Sequence, residues 1–469
     1  MQKTRLRRVG ALIVGLSLVA AACGGDDDSA DSTDPTTPEA TTAPEETTAP
    51  EETTAPEETT APEETTAPEE TTAPEETTAP VDSAGCESDG VLTIGTILPV
   101  TGDLAFLGPP EIAGAELAVR DINEAGGVLG ADVVLQQGDS GDTTTDTANL
   151  EVDRLLSLGS DAIMGAASSA VSKTVIDKIT GACVIQFSPA NTSPDFTTYD
   201  DGGFYFRTAP SDLLQGRVLS NLVLDEGNAT ATVLFRQESY GQGLADSFKE
   251  NFEGAGGVID QFLPYAVDTE SFDAEVDLAV EADSDAIIVI GFAESALILT
   301  TMHERGIGPS AKNVYGVDGN IGGIGAELAD PTIISGMRGT EPSVDLSDIS
   351  DFTARLDAEG DMGGVYAYGA ETYDSIIIVA LATALAGTDD PSAIAAEING
   401  VTGGGDKCTS FAECIALIDG GSTDIDYDGL GGPYEFVEAG EPAAASFRIA
   451  TYDGGPNPNT DLDEYVFAS

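Results

Sequence analysis

The chain has 469 residues, with 83 Asp and Glu against 18 Lys and Arg, a single histidine and a formal net charge of −65. Nucleic-acid binding needs a basic surface, so this balance excludes it. Net charge says little about fold.

Met1 to Arg8 carries Lys3, Arg5, Arg7 and Arg8, and an apolar run from Val9 to Ala22 leads to Cys23. Roughly 14 apolar residues are too few for a bilayer core, which takes about 20. Basic start, apolar run and small-residue end is the order of an export signal, so residues 1–22 read as a leader. "SLVAAAC" followed by "GGDDDS" resembles a bacterial lipoprotein signal, in which Cys23 becomes the acylated first residue. Ala20 stands where Leu is commoner, and Ala20-Ala21-Ala22 also fits an A-x-A site that would release the protein. Residues 23–85 are low complexity: "TTAPEE" repeats six times from Thr41 to Glu76, and "TTAP" closes the series at Pro80. With almost nothing apolar to bury, such a segment cannot offset its ordering entropy. Regular Pro and like charges favour an extended spacer of about 3 Å per residue.

About 380 residues remain, more than one ordinary core, which predicts two domains or lobes. Cys86, Cys183, Cys408 and Cys414 are an even set in an exported chain, which suggests disulfides. Cys408 and Cys414 are near neighbours and pair as a small clip, leaving Cys86 for Cys183. No thiol or histidine has zinc spacing, and His303 is expected to face water on a helix.

From Val91 on, strand and helix alternate. "VLTIGTIL" is a strand, and "PPEIAGAELAVRDINEAGG" a helix with Ile112, Ala115, Val119 and Ile122 at helical spacing. "VLGADVVLQQGDS", "DAIMG" and "CVIQF" follow as strands, separated by the helices "TTDTANLEVDRLLSLG" and "SAVSKTVIDKITG". The strands lack polar alternation, as in a parallel sheet covered on both faces. After "FYFRTAP" the pattern restarts, with "ATVLFRQ", "VIDQFLPY" and "DAIIVIGF" as strands between helices. A helix "ESALILTTMHERG", a strand "NVYGVDG", a long helix from about Tyr366 to Ala386 and a strand in "SFRIATYDGG" complete the chain.

Ligands of open parallel sheets bind beyond the carboxyl ends of the strands. Three first-lobe segments lie there: "LPVTGDLAFLG", "GAASSAVS" and "SPANTS". Unpaired N–H groups at a helix start, plus a serine hydroxyl, suit a carboxylate. Ser168 or Ser169 could equally be a simple helix cap. Asp103 reads as a turn residue, Leu107 as possible core, Asp212 as a possible N-cap and Tyr240 as possible loop packing.

"LTIGTILPVTGDLAFLG", "GGVLG", "MGAASSAVS", "FSPANTSPDFT", "FRTAPSDLLQG" and "SYGQG" occur in this order. Together they resemble the type I solute-binding proteins typified by the leucine/isoleucine/valine-binding proteins of ABC transporters, over about Gly90 to Ser469. The resemblance implies an α/β fold of two Rossmann-like parallel-sheet lobes joined by three hinge strands. Lobe 1 is expected over 86–209 and 292–444, and lobe 2 over 210–291 and 445–469. By position, the resemblance gives Ser169 to the ligand carboxylate, the Ala190 backbone to carboxylate and ammonium, and Thr192 to both. Asp212 falls near the ammonium, Tyr240 covers the ligand from the second lobe, and Leu107 lines its side-chain pocket. The acid expected after the second strand of lobe 2 is replaced by Pro264-Tyr265, with Asp268 and Glu270 further on. Charge compensation is then expected from dipoles and hydrogen bonds rather than from buried Lys or Arg.

The function implied is capture without chemistry: a small amino-acid-like, possibly branched-chain solute held between two closing lobes and passed to an ABC permease. No cofactor is expected, the protein is expected to be a monomer, and lipid on Cys23 would hold it at the outer face of the cell membrane. The alternative is a sensor or receptor for an amide, urea, aromatic acid or small peptide. An enzyme is disfavoured: G-x-S-x-G, H-E-x-x-H and P-loop motifs are lacking. Intact mass spectrometry of the mature protein is expected to find Cys23 acylated; a protein beginning at Cys23 without acyl mass would contradict the tether.

Overall fold

The computed structural model describes Cys86 and residues 88–469. The leader, Cys23 and the tether lie outside the described residues. In chain order the first region runs β1 (Thr93–Leu98), α1 (Gly108–Glu124), β2 (Val134–Asp139), α2 (Thr147–Ser157), β3 (Ala162–Gly165), α3 (Ser169–Gly181), β4 (Ile185–Ser188) and β5 (Tyr205–Arg207). The second runs α4 (Asp212–Asp225), β6 (Thr230–Arg236), α5 (Ser239–Gly254), β7 (Val258–Tyr265), α6 (Asp273–Ala282), β8 (Ala286–Ile290), α7 (Ser295–Arg305), β9 (Asn313–Val317), the single turns α8 (Asp318–Ile321) and α9 (Ile324–Glu327), and β10 (Arg338–Pro342). The remainder is α10 (Ser350–Glu359), α11 (Gly369–Ala386), α12 (Pro391–Val401), β11 (Asp406–Cys408), α13 (Phe411–Asp419), β12 (Ile425–Gly429), β13 (Gly432–Pro433), β14 (Ala445–Thr451) and β15 (Glu464–Ala468).

The strands form a five-stranded sheet ordered β2-β1-β3-β4-β5, all parallel, and a seven-stranded sheet ordered β15-β14-β10-β9-β8-β6-β7. In the second sheet β6 to β10 run parallel, while β14 and β15 are added antiparallel. The chain crosses between the two lobes three times: after β5, after β10 and before β14. The expected restart of lobe 1 at 292 is corrected: β9 and β10 hydrogen-bond into the second sheet, so the return to lobe 1 follows Pro342. The local pattern of strand and helix is the same on either side of a crossing, so it does not report which sheet a strand joins.

Both sheets are covered on both faces, as their apolar strands require. In the first, Ile94, Leu98, Met164, Ile185 and Phe187 pack under α1 and α11, while Ile97 and Ile163 pack under α2 and α3. In the second, Val233, Phe235 and Ile288 meet α4 and α5, and Leu234, Ile287 and Val289 meet α6 and α7. Helix α11 is long and apolar enough by composition to cross a membrane, and from Ile376 to Ala382 it is apolar on all sides. Its residues Ile376 to Ala382 are completely buried in the first-lobe core, where an all-round apolar helix belongs. It meets α1 backbone to backbone: a Cβ on Gly114 would lie 2.3 Å from the Gly369 carbonyl oxygen.

Both expected disulfides are present, Cys86–Cys183 and Cys408–Cys414. The first fastens the start of the folded region, whose Asp89, Gly90 and Val91 N–H groups donate to Asp389 at 2.9, 2.7 and 3.2 Å. The second clips a small sheet, β11-β12-β13, that the sequence pattern did not show. Asp374 of α11 ties that sheet down, accepting from the hydroxyls of Tyr427 and Tyr434 at 2.6 and 2.7 Å and from the N–H groups of Leu430 and Gly431 at 3.0 and 2.7 Å.

Two buried acids of the first-lobe core, Glu371 and Glu111, are less well provided with donors. Glu371 of α11 is held at a pKa of about 8, by burial first and then by the charges of Asp374 and Glu341. Glu111 of α1, fully buried with both oxygens unpartnered, is pushed up by burial and by Glu371. A carboxyl whose folded pKa is raised binds its proton more tightly in the folded state, so its stability contribution is present at low pH and lost as pH rises through the folded value. Resistance to urea is therefore expected to fall between about pH 5 and 8. Glu371→Gln should flatten that fall; an unchanged slope would contradict the assignment.

Candidate functional site

The carboxyl ends of both sheets' central strands face a common cleft. From the first lobe come the loops after β1, β3 and β4, and from the second those after β6, β8 and β9. Leu107, Ser169, Ala190 and Tyr240, four of the expected site residues, line one cavity there, with Leu104, Phe292, Asp318, Gly319 and Tyr368. The cavity has a volume of only about 10 Å³, room for about one water. The lobes are thus closed down on the site.

The first-lobe wall explains why a buried strand ends in hydroxyls and amides. Ser188 donates to the Ala166 carbonyl at 2.8 Å and accepts from the Asn191 N–H at 2.9 Å. The Asn191 amide donates to the carbonyls of Ala166 and Ala167 at 2.9 and 2.8 Å, and its oxygen accepts from the Tyr205 hydroxyl at 3.0 Å. The two loops therefore hold each other. Behind them Arg207 is completely buried and donates to the carbonyls of Asn191 and Ser193 at 3.0 and 2.8 Å. Its charge is matched by Glu441, which accepts from Nε at 2.9 Å and from Nη2. The Arg207 side chain thus supports the site from behind, through the loop carbonyls, although no sequence pattern joins positions 207 and 441.

Ser168 takes the cap of α3, accepting from the Val171 N–H at 3.4 Å. That leaves Ser169, whose hydroxyl accepts from the Ser193 N–H at 3.4 Å, facing the cavity at the helix start. Thr192 and Asp212 stand just behind the lining, with the Asp212 N–H donating to the Thr192 carbonyl at 2.7 Å. The Thr192 hydroxyl and both carboxylate oxygens of Asp212 are buried and have no hydrogen-bond partner. Asp212 begins α4, but its neighbour Ser211 performs the cap.

The second-lobe wall centres on Asp318, immediately after β9. It accepts from the hydroxyl of Tyr240 at 2.7 Å, from the Gln215 amide at 2.9 Å and from the hydroxyl of Tyr368 at 2.7 Å. Tyr240 also accepts from the Gly319 N–H at 3.1 Å and stacks on Phe292, centroids 5.3 Å apart. Gly319 has no room for a side chain, since a Cβ would lie 2.9 Å from the Tyr240 hydroxyl oxygen. Tyr368 sits at φ +61°, left-handed backbone that costs a non-glycine residue about 1–3 kcal/mol. Burial raises both acids above the usual carboxylate range. For Asp212 the charge of Asp318 adds to this while the Thr192 hydroxyl and the charge of Arg207 partly offset it, and for Asp318 the three donors do so.

Asp268 and Glu270 are exposed and away from the cavity, and the acid that the second lobe brings to its lining is Asp318. It was legible in principle: "NVYGVDGN" places an Asp at a strand's carboxyl end, the rule already applied to lobe 1. His303 is exposed on α7, as expected.

The sequence matches the family model for periplasmic binding proteins over residues 91–456. The chain belongs to the periplasmic binding protein family. Among relatives of this binding protein, a chemotactic signal-transduction substrate-binding protein, BasB, of Halobacterium salinarum is 28% identical over 78% of this chain and 88% of its own length. A Leu/Ile/Val-binding protein homologue of Brucella melitensis is 29% identical over 46% of this chain, which spans only 59% of that relative. Among solved structures, a leucine-binding protein, LivK, of Thermotoga maritima superposes with a TM-score of 0.66 at 21% identity, covering 81% of this chain and 99% of the other. The isoleucine complex of LivJ from Streptococcus pneumoniae gives 0.66 at 22% identity, covering 80% and 99%. A solute-binding protein of R. palustris in complex with benzoate gives 0.62 at 16% identity, covering 79% and 95%.

The buried pair behind the binding loops should matter for stability as well as for position. Arg207→Met leaves Glu441 buried without its cation and two carbonyls without their donor. Such a break costs about 3–5 kcal/mol. Denaturant unfolding of this binding protein should show a loss of that size; a loss under about 1 kcal/mol would mean the pair does not hold the loops.

Proposed function

We propose that this binding protein captures an α-amino acid with an uncharged side chain, as the extracytoplasmic component of an ABC importer. The ligand's carboxylate is placed at Ser169 and the backbone of Ala190, where a helix start and loop N–H groups favour negative charge. Its ammonium is placed between Asp212 and Asp318. The observation that carries this reading is the Asp212 carboxylate, buried beside a second acid with both oxygens unpartnered. A buried acid without donors is costly, and a ligand cation is the group that would satisfy it. Leu104, Leu107 and Phe292 leave an apolar space for the side chain. The LivJ complex with isoleucine and the leucine-binding LivK support this ligand class.

The cavity as it stands holds about one water, so a ligand enters only when the lobes part. The three crossings are the segments that can flex while both sheets stay intact. Closure is then a two-state change driven by contacts the ligand makes with both walls. Delivery to a membrane permease follows from the family's role, and a lipid on Cys23 would raise the local concentration of the protein at that permease.

A second reading replaces the importer by a sensory partner while keeping the same site. The BasB relative, described as part of chemotactic signal transduction, supports it. Loss of uptake on deletion favours transport; loss of taxis with uptake intact favours sensing.

The ligand class is tested by a thermal-shift panel of amino acids, amides and aromatic acids on the full-length protein. Neutral aliphatic amino acids are expected to raise Tm most, and Ser169→Ala to weaken the best of them about tenfold, roughly 1.4 kcal/mol. Equal binding by Ser169→Ala, or stabilisation only by acids lacking an amino group, would falsify the placement.

A further inference from the structure

A second small space opens beside the cavity, past Leu104, Ser168 and Phe292, which line both. Its far wall is Arg236, the last residue of β6, only 2% exposed. Arg236 Nη2 lies 2.9 Å from Oδ2 of Asp103, and Nη1 lies 3.0 Å from Oε2 of Glu294. The guanidinium sits 4.7 Å from the centroid of the Phe292 ring, the ring that also stacks on Tyr240. Glu294 is fixed in turn, accepting from the Tyr265 hydroxyl at 2.8 Å and from the Phe292 N–H at 3.1 Å.

Asp103 belongs to the loop after β1 in the first lobe, whereas Arg236 and Glu294 belong to the second. Among the described residues, this is the one ion pair that joins the two lobes; the others lie within the first lobe or within the second. Asp103, taken above as a turn residue, therefore has a partner across the cleft at the point where the side-chain space ends.

We propose that the Arg236–Asp103 pair is both the end wall of the ligand's side-chain space and a latch between the lobes, selecting short aliphatic side chains. The proposal rests on the reading of the site as an amino-acid cavity. An aliphatic side chain starting between Ser169 and Asp318 runs along Leu104, Leu107 and Phe292 and stops short of the guanidinium, so the latch closes behind it. A longer aromatic side chain has to enter the space between Phe292 and Asp103 and part the pair. An acidic side chain meets three carboxylates, Asp103, Glu294 and Glu238, around one cation, and that surplus of negative charge repels it. Size and charge are thus selected at one place, and closure reports on both.

The test is calorimetric binding of leucine and phenylalanine to the full-length protein, its Arg236→Ala variant and its Asp103→Asn variant. Arg236→Ala removes the wall and should raise affinity for phenylalanine relative to leucine at least tenfold. Asp103→Asn keeps the wall but loses the latch. It should weaken leucine about fivefold in roughly 0.1 M salt and less than about twofold in roughly 2 M salt, where screening has already removed the attraction. A ratio in Arg236→Ala within twofold of wild type, or an Asp103→Asn loss independent of salt, overturns the proposal. If Arg236→Ala does not fold, the salt comparison on Asp103→Asn, a change in a partly exposed loop, decides alone. Wild-type protein that binds no amino acid refutes the underlying reading and this proposal with it. Wild-type protein that binds leucine while the variants behave like it refutes this proposal only.

Discussion

Two carboxylates are buried at the seam between the lobes with no cation between them. Asp318 is quieted by two tyrosine hydroxyls and a glutamine amide, while Asp212, within reach of its charge, makes no well-formed hydrogen bond and is eased only by the nearby Thr192 hydroxyl and the charge of Arg207. Each group alone would be a cost the fold could shed by exposing the side chain. Neither can be exposed here, because Asp212 is fixed at the start of α4 and Asp318 at the end of β9, and both elements are locked into the second lobe's core. The frustration is stored where the chain closes around a cavity whose opposite wall favours an anion. On the proposed reading, a molecule carrying both a carboxylate and an ammonium satisfies both walls at once and so favours the closed form.

The rest of the architecture delivers those groups. Two sheets, each covered on both faces, direct the carboxyl ends of their central strands at one another. The loops at those ends would be loose if left to turn chemistry. Instead Asn191, Ser188 and the buried Arg207–Glu441 pair lock the first wall, and the Glu238 cap, which accepts from the N–H groups of Tyr240 and Gly241 at 3.0 and 2.9 Å, sets the angle of Tyr240 in the second. The two walls stand on separate sheets joined by three chain crossings. Helix α11 connects these levels: its apolar face fills the first core, Asp374 secures the small sheet, and Tyr368 just before it reaches across to Asp318.

Much of this was legible in the residue order. The βα alternation and the Cys408–Cys414 clip follow from local signals, apolar runs of strand length, helix caps and near-neighbour thiols, and Cys86–Cys183 followed by elimination. What was not legible depends on long-range pairing. The partnership of Arg207 with Glu441 spans 234 positions, and nothing near either residue announces the other. The assignment of β9 and β10 to the second sheet, and the antiparallel addition of β14 and β15, are decided by edge pairing that a strand's own composition does not record. Asp318 was overlooked for a different reason. The acid was sought after β7 by analogy, although the strand-end rule, applied evenly to "NVYGVDGN", points to it directly.

The central claim is that an ammonium group neutralises Asp212 and Asp318. Heats of binding in two buffers of different ionisation enthalpy count the protons exchanged when the ligand enters. Burial holds both acids above the ordinary carboxylate range, so an arriving cation drives them to ionise. Scanned upward from the ordinary carboxylate range of about pH 4, binding of an aliphatic amino acid is therefore predicted to pass through a zone of proton release, which Asp212→Asn should diminish. Tight binding without proton release, or a release unchanged in both Asp212→Asn and Asp318→Asn, would contradict the account.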